Sequence, residues 1–509
     1  MTETSKPKRK IGAGFFWLLL LIASILFLIS LFTFSLFPKI WTLYAAIALA
    51  VILFVLGKLS FRYYKSKAIK FTNLFLSIVL LIISILMPYY QSKISNLFNN
   101  IIGNTSTVNL YVMKEEYKEK HPDVFNNELE SSDNLLDYKN GVFASMIQID
   151  SDNQLHAISE MEKEIGKDYT LLDKQSAQAG AEAIYTYEAD VLIMSKSFET
   201  ILVETEGYEN FREDTKIIAS YTRPRNSEIK ESDTSLTDEP YAIYFGGNDE
   251  YGELSIEGRT DVNILLVVNP LTSQMIMINL PRDSYIENPA FGYQYDKLTH
   301  LGVNGINNTL DGLGNLFGIE INDFVIVNFS TYMQIIDSIG GVDVDNPYGF
   351  GYWDNPDIWY DEGPLHLDGE AALWFVRERK TLPDGDFGRI MHQQMVMKAI
   401  INKLTSTEML LHVDDLLTGL DGKFLTNVSS DAVYSFCQKQ LENGEGWDII
   451  SYSIVGEVGE GICAIAPNQY LSVVYPYTNQ LEFAKGEIQK LMNGEEVEQQ
   501  ELPEGAFEE

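Results

Sequence analysis

Three short stretches of the chain combine cations and carboxylates in a way that packing alone does not explain. Gly258-Arg-Thr-Asp261 stands directly before a long apolar run, and Pro281-Arg-Asp283 closes the next one. Arg377-Glu-Arg-Lys380 leads through Pro383-Asp-Gly-Asp-Phe-Gly-Arg389 to His392-Gln-Gln394. If the two runs are neighbouring strands, Arg259, Asp261, Arg282 and Asp283 crowd into one region. Arginines gathered with several carboxylates suit a pyrophosphate. Its oxygens take planar, forked donors, and its magnesium takes a few carboxylate oxygens plus water. Phosphoryl transfer then needs chiefly positioning and charge neutralisation. Other chemistries lack their signatures: there is no Walker loop, no His-Glu-x-x-His and no Gly-x-Ser-x-Gly. Six histidines in the whole chain argue against a histidine-based metal site.

The elements that must hold these residues are legible as an α/β pattern. Tyr241–Phe245 reads as a short strand, Asp261–Asn269 as a strand covered on both faces, and Met275–Leu280 as its neighbour. Thr331–Ile339 and Asp368–Arg379 read as helices, the latter with Ala371, Ala372, Phe375 and Val376 on its apolar face. A last helix runs from about Phe387 to Leu404. There Val396, Ile400 and Leu404 form one stripe, which reaches Gln393 and Arg389 when extended backward. Buried polar groups are costly unless paired, so this end should meet a ligand or an ion pair. For Asp386 a helix N-cap is the plainer reading. For Arg377 and Arg379 it is a solvated face paired with Glu378 or Glu370, which suits one arginine better than both.

Lys+Arg of 37 against Asp+Glu of 72 gives a net charge of -35, which argues against nucleic acid. The average hides a split. Residues 1–95 carry eleven basic residues and one acid, Glu3, leaving 26 basic and 71 acidic residues beyond, a net of -45. Solubility is a sufficient explanation of that acidity, and is preferred to a metal-buffering role. Three apolar runs, Phe15–Phe37, Trp41–Leu56 and Phe71–Met87, read as membrane spans. The first is too long for a signal peptide and lacks a cleavage site. Lys6, Lys8, Arg9 and Lys10 precede it, and Lys58, Arg62, Lys65, Lys67 and Lys70 fill the second loop. By the positive-inside rule both lie in the cytoplasm, so everything after about residue 90 lies outside a plasma membrane crossed three times.

The expected organisation is a basic cytoplasmic tail (1–14), three transmembrane helices (15–87), a small α/β extracellular accessory domain (106–225), a linker (226–240), the catalytic domain (241–492) and a disordered, Glu-rich tail (493–509). Nothing in the accessory segment gathers catalytic residue types at a recognisable spacing. The two cysteines, Cys437 and Cys463, both fall in the outer part, where a disulfide and two buried thiols are equally open readings.

Taken in order, these motifs resemble the catalytic domain of the LytR-CpsA-Psr family. The resemblance covers about residues 240–405 and extends to about 490. It is carried by Gly258-Arg-Thr-Asp261, Ile278-Asn-Leu-Pro-Arg-Asp283, Asp296-Lys-Leu-Thr-His300, Val376-Arg-Glu-Arg-Lys380, Asp384-Gly-Asp-Phe-Gly-Arg389 and Gln393-Gln394. Each is weak alone; their order and spacing make them specific. Three spans plus an accessory domain resemble the streptococcal-type, Gram-positive capsule-locus subgroup. The resemblance implies a layered α-β-α domain with a central mixed sheet. It implies a magnesium-dependent phosphotransferase that moves a glycopolymer, capsular polysaccharide, from a polyprenyl-pyrophosphate carrier to peptidoglycan through a phosphodiester.

Carried over residue by residue, the resemblance assigns Mg2+ to Asp249 and Asp261, and pyrophosphate contacts to Arg259, Arg282, Lys297, Arg377, Arg379 and Gln393. It makes Asp386 a candidate general base, with Arg389 and Arg282 supporting catalysis. His392 departs from the family, which usually shows arginine there, leaving one cation fewer. A polyprenyl tail needs an apolar groove, although apolar residues more often simply form core. Implied partners are the lipid-linked polysaccharide, peptidoglycan, membrane lipid and other capsule-assembly membrane proteins. The residues leave open a pyrophosphatase, with water replacing the sugar, and a non-catalytic membrane regulator of polysaccharide synthesis or transcription. Paired carboxylates beside arginines favour catalysis over binding alone.

Overall fold

The computed structural model describes residues 12–34, 39–100, 105–125, 131–224, 232, 234–248, 255–406, 409, 424–444 and 446–507. The chain forms two compact units, one of residues 1–99 with 429–445, the other of the remainder.

In the first unit, helices Ala13–Thr33, Lys39–Arg62 and Lys67–Asn100 follow the three apolar runs. Each contains a stretch long and apolar enough to cross a membrane, and Phe54 and Ile85 point outward. Their few polar groups find partners inside the bundle, as an apolar solvent requires: Ser24, Thr33, Ser77 and Ser84 donate to carbonyls of their own helix, and others bond from helix to helix. Asn73 Nδ2 donates to Ser60 Oγ at 2.8 Å, and Trp17 Nε1 to the Leu53 carbonyl at 2.9 Å. Gly57 permits the second contact, since a Cβ there would stand 3.1 Å from the Trp17 indole. Helix Ser430–Asn443 also belongs to this unit, its Tyr434 hydroxyl donating to the Gln91 carbonyl at 3.1 Å. The expected catalytic span 241–492 is therefore interrupted, because that helix packs on the third long helix.

The second unit is built on two sheets. Strands β1 (Thr105–Met113), β2 (Val142–Ser145), β3 (Thr170–Asp173), β4 (Val191–Ser195) and β5 (Thr215–Pro224) form a mixed sheet in the order β3-β2-β4-β1-β5. Next come β6 (Tyr241–Asn248), β7 (Val262–Asn269), β8 (Gln274–Asn279) and the hairpin β9 (Tyr285–Asn288)–β10 (Gln294–Lys297). They are followed by β11 (Asp323–Asn328), β12 (Val342–Asn346), β13 (Phe350–Tyr352), β14 (Asn355–Tyr360), β15 (Gly363–Leu367), β16 (Leu425–Thr426), β17 (Asp448–Ser453), β18 (Gly456–Ile462) and β19 (Tyr470–Pro476). The larger sheet runs β16-β11-β6-β7-β8-β17, with β6, β7 and β8 antiparallel, β11 parallel to β6 but antiparallel to β16, and β17 parallel to β8. It is a mixed sheet, and all of β8 and nearly all of β7 are buried, matching their unbroken apolar sequences. Register sets Gly247 opposite Val262 and Ile264 opposite Asn279. One end of the sheet thus gathers Gly246-Gly247-Asn248, Asp261 and the approach to Arg282.

The two sheets share a hydrophobic core, in which Met194, Phe198 and Leu202 cluster with Val303, Ile465 and Ala466. The tail departs from expectation. Val497 is buried and exchanges hydrogen bonds with the Gln274 side chain at 3.0 and 2.8 Å. The Gln499 amide pairs with both backbone groups of Ser451 on the outer strand β17. Residues 493–507 are held because side-chain amides satisfy backbone groups there, despite the Glu-rich composition. The expected linker lies partly outside the described residues; within it, Ser232 N donates to the Asn427 carbonyl at 3.0 Å.

Candidate functional site: a cavity with an arginine-lined end

At the sheet end, Asp261 N donates to the Gly247 carbonyl at 2.8 Å, fixing its carboxylate beside the strand mouth. Arg282 Nη1 reaches Asp261 Oδ1 at 2.7 Å and its Nε lies 3.7 Å from Asp283 Oδ2. Burial works against the Arg282 charge, but Asp261, with Asp283 and Glu204 beyond it, offsets this and raises its pKa. Lys297 Nζ stands 3.1 Å from Asp283 Oδ1. Burial favours the protonated Asp283, yet Lys297 and Arg282 hold its carboxyl below the usual range. Arg259 pairs with Glu204, which the smaller sheet's domain contributes, and its side chain is buried.

The helical side is held differently. Asp368 caps helix Gly369–Arg377, its Oδ1 accepting from Ala371 N at 2.9 Å. Past its end, Glu378 is fully buried. Its carboxylate accepts from Trp353 N at 2.8 Å and from Thr381 N at 2.9 Å. It is therefore a tie between loops rather than the surface ion-pair partner the sequence suggests. The Arg377 guanidinium lies 4.4 Å from the Phe329 ring centroid and the Lys380 ammonium 3.2 Å from that of Trp353. Among the described residues no carboxylate pairs with Arg377 or Arg379.

Helix Asp386–Leu404 begins after Gly385, so Asp386 is its first residue and not its cap. Asp386 Oδ1 lies 2.8 Å from Arg389 Nη2. Burial lowers the Arg389 pKa. Arg389, Gln393, Met397, Ile400 and Leu404 all line one cavity of about 650 Å³. At about 1.5 Å per residue the cavity follows roughly 22 Å of helix, turning from cationic to apolar along it. Asp261, Arg282, Arg377, Arg379 and Lys380 share the polar part; Phe245, Ile264, Val327, Leu373 and Phe424 share the apolar walls. Gly246 keeps one wall thin, since a Cβ there would meet Ile326 at 2.5 Å.

Of the residues singled out from sequence, Asp261, Arg282, Arg377, Arg379, Arg389 and Gln393 meet at this cavity. Arg259, Lys297 and Asp386 are not in its lining and are paired with Glu204, Asp283 and Arg389; the Asp386 side chain stays 37% exposed beside the lining residue Arg389. Asp249 lies outside the described residues. His392 is no cation of the site. It is fully buried, stacks on Phe375 with centroids 4.2 Å apart and is pushed down to about pKa 4 by burial. Sequence reasoning missed Trp353, Trp374 and Glu204, which carry no local signal.

Asp296, His300 and Cys463 also gather their ligand-type atoms within 4.8 Å. Asp296 is already engaged by His300 Nδ1, Lys297 N, Asn288 Nδ2 and Ile465 N. Burial and Asp296 push the Cys463 thiol up to about 12. The trio is a hydrogen-bonded joint beneath β10, and both cysteines are free thiols.

A polyisoprenyl-teichoic acid–peptidoglycan teichoic acid transferase, TagU of Bacillus mycoides, is 33% identical over 222 residues, 43% of this chain and 71% of that protein. TagV of Bacillus subtilis, of the same description, is 27% identical over 237 residues, 45% and 61% of the two chains. The crystal structure of B. subtilis TagV aligns with 51% of this chain and 99% of its own, at 25% identity and a TM-score of 0.43. The LytR_cpsA_psr family model matches residues 205–497, more than half of the sequence, and the chain belongs to that family.

Proposed function

We propose that the protein transfers a glycopolymer from a polyprenyl-pyrophosphate carrier to a peptidoglycan hydroxyl. The observation that carries this reading is the cavity: one continuous space of about 650 Å³, apolar along its length and rimmed by arginines. Such a shape suits a hydrocarbon chain ending in a diphosphate, and the named relatives are polyisoprenyl-linked teichoic acid transferases. The acceptor oxygen attacks the phosphorus that bears the glycopolymer. The bond between the two phosphates breaks, lipid monophosphate departs, and a phosphodiester joins polymer to wall. Arg282, Arg377 and Arg379 offset the charge growing on the leaving phosphate. Asp386, beside Arg389, takes the acceptor proton.

Asp261 fits a magnesium ion, because it offers the cavity a carboxylate of which one oxygen is used by Arg282. A magnesium ion held by Asp261 would supply further neutralisation of phosphate charge. The three apolar helices support membrane anchoring, and the lysine-rich N-terminus and second loop support a cytoplasmic N-terminus with the catalytic unit outside. Capsular polysaccharide is the proposed cargo, by the likeness of the three-span, accessory-domain layout to capsule-locus members. The full chain, given a synthetic polyprenyl-pyrophosphate sugar, a peptidoglycan fragment and magnesium, should yield a phosphodiester-linked product. Release of free phosphate alone sinks the transferase in favour of the pyrophosphatase.

A further inference from the structure

We propose that the hairpin β13–β14 is a docking platform for a neutral pyranose ring of the acceptor glycan, with Trp359 as its stacking face. The inference rests on the transferase reading and names where the acceptor sugar lies.

The hairpin exposes apolar area that folding would otherwise cover. Trp359 is 63% exposed and Trp353 49% exposed, and large solvent-facing indoles usually mark a binding surface. Trp359 is held rigidly. The Trp359 ring lies against the backbone of Gly349 and Gly351, where an added Cβ would come within 3.2 and 3.3 Å of it. Its indole N–H donates to Asp361 Oδ1 at 3.0 Å, fixing the ring's rotation. Phe350 and Tyr360, paired across the same hairpin, are buried in the core below and anchor it. A flat, immobile ring costs little entropy on binding. It matches the C–H face of a pyranose, while neighbouring carboxylates accept from hydroxyls at the sugar's edge.

Position ties this platform to the reacting centre. Thr381 Oγ1 donates to the Gly351 carbonyl at 2.6 Å, and Trp353 N to Glu378 at 2.8 Å. Gly388 leaves room for the Tyr348 hydroxyl, which a Cβ would meet at 3.3 Å. The hairpin therefore runs beside the loop that delivers Asp386, and its turn (Tyr352, Trp353, Asp354) lines the cavity. An acceptor whose hydroxyl reaches Asp386 must carry its remaining rings out over this side. Charge selects the occupant. Residues 347–362 hold four acids, Asp354, Asp357, Asp361 and Glu362, and no Lys or Arg. The Lys380 ammonium sits at the turn, over Trp353; along the strand that carries Trp359 an anionic lipid surface or a phosphate-rich polymer is repelled, whereas a neutral N-acetylated sugar is not.

The test uses Trp359→Ala and Trp359→Tyr in the full chain, checked by thermal unfolding against the unaltered protein. Trp359→Ala should raise the KM for a peptidoglycan fragment by about tenfold, the loss of roughly one stacking contact. The KM for donor lipid and the kcat should stay within about twofold, and Trp359→Tyr should recover most of the acceptor affinity. Oligomers of N-acetylglucosamine should quench indole fluorescence in the unaltered protein and not in Trp359→Ala. That arm reads the platform even if no transfer product forms, so its failure and the failure of the transferase reading are distinguishable. An unchanged acceptor KM overturns the proposal. So does a rise confined to the donor, which assigns the ring to the polymer's own sugar, or Trp359-dependent binding to anionic phospholipid vesicles, which makes it a membrane anchor.

Discussion

Arg282 at the sheet end of the cavity and Arg377 on its helical side are kept charged by opposite means. At the sheet end, Arg282 rests on Asp261 and Arg259 on Glu204, so each guanidinium meets a carboxylate before any ligand arrives. On the helical side, Arg377 lies over Phe329 and Trp374, and no carboxylate pairs with it among the described residues. Ring faces sustain a cation at about 0.5–2 kcal/mol without neutralising it. The sheet end is thus a preset frame, while the helical side is where an incoming diphosphate gains most. Orientation comes from one half, and unspent positive charge from the other.

Breaking the frame should do the most damage. Arg282→Ala leaves the Asp261 carboxylate beside the cavity without its partner, and kcat/KM for transfer should fall about 1,000-fold. Attachment persisting within tenfold of normal sinks the catalytic reading. Arg377→Ala should cost about 100-fold, chiefly in donor KM. Arg377→Lys should recover only part, because a lysine keeps the charge but not the flat fork over Phe329. Equal recovery by lysine at positions 282 and 377 would erase the distinction drawn between the two sides. Glu204→Gln frees Arg259 from a carboxylate that is 58% exposed, and exposed pairs are weak. A donor KM lowered about two- to fivefold is expected, and a raised one would show that Glu204 orients Arg259 instead of occupying it.

The smallest effect on activity belongs to His392→Phe, with kcat/KM within about threefold, but its stability profile should change. The buried imidazole titrates near 4 instead of 6.5, so the folded state resists the proton that the unfolded chain accepts. Stability is therefore full above about pH 6.5 and is lost as pH falls toward 4, by on the order of 3 kcal/mol relative to the phenylalanine variant. Asp150, which burial lifts to about 7, acts in the opposite sense in both proteins and cancels in the difference. Parallel urea-unfolding curves for the two proteins between pH 4 and 7 would refute the assignment.

Much of this site is legible in the sequence because it follows periodicity. The stripe Leu404–Ile400 continues to Gln393 and Arg389 at helical spacing, and all four line the cavity. The apolar runs of β7 and β8 announce a buried sheet whose ends bear Asp261 and Arg282. What stays hidden depends on partners distant in sequence. Glu204 lies 55 residues before the Arg259 that it meets. Glu378 looks like one more charge in a charged run until Trp353 and Thr381 enclose it. Composition also misleads at the tail, where nothing local reveals that Gln274 and Gln499 bind the backbone.

That tail has a practical consequence. Its Gln499 amide covers the backbone of Ser451, on the outermost strand of the larger sheet. A chain cut before residue 497 keeps every residue of the cavity yet presents a bare strand edge, the kind of surface through which copies stack into aggregates. Truncations designed to trim the Glu-rich end for crystallisation or expression should lower solubility, although the residues they remove line no part of the cavity.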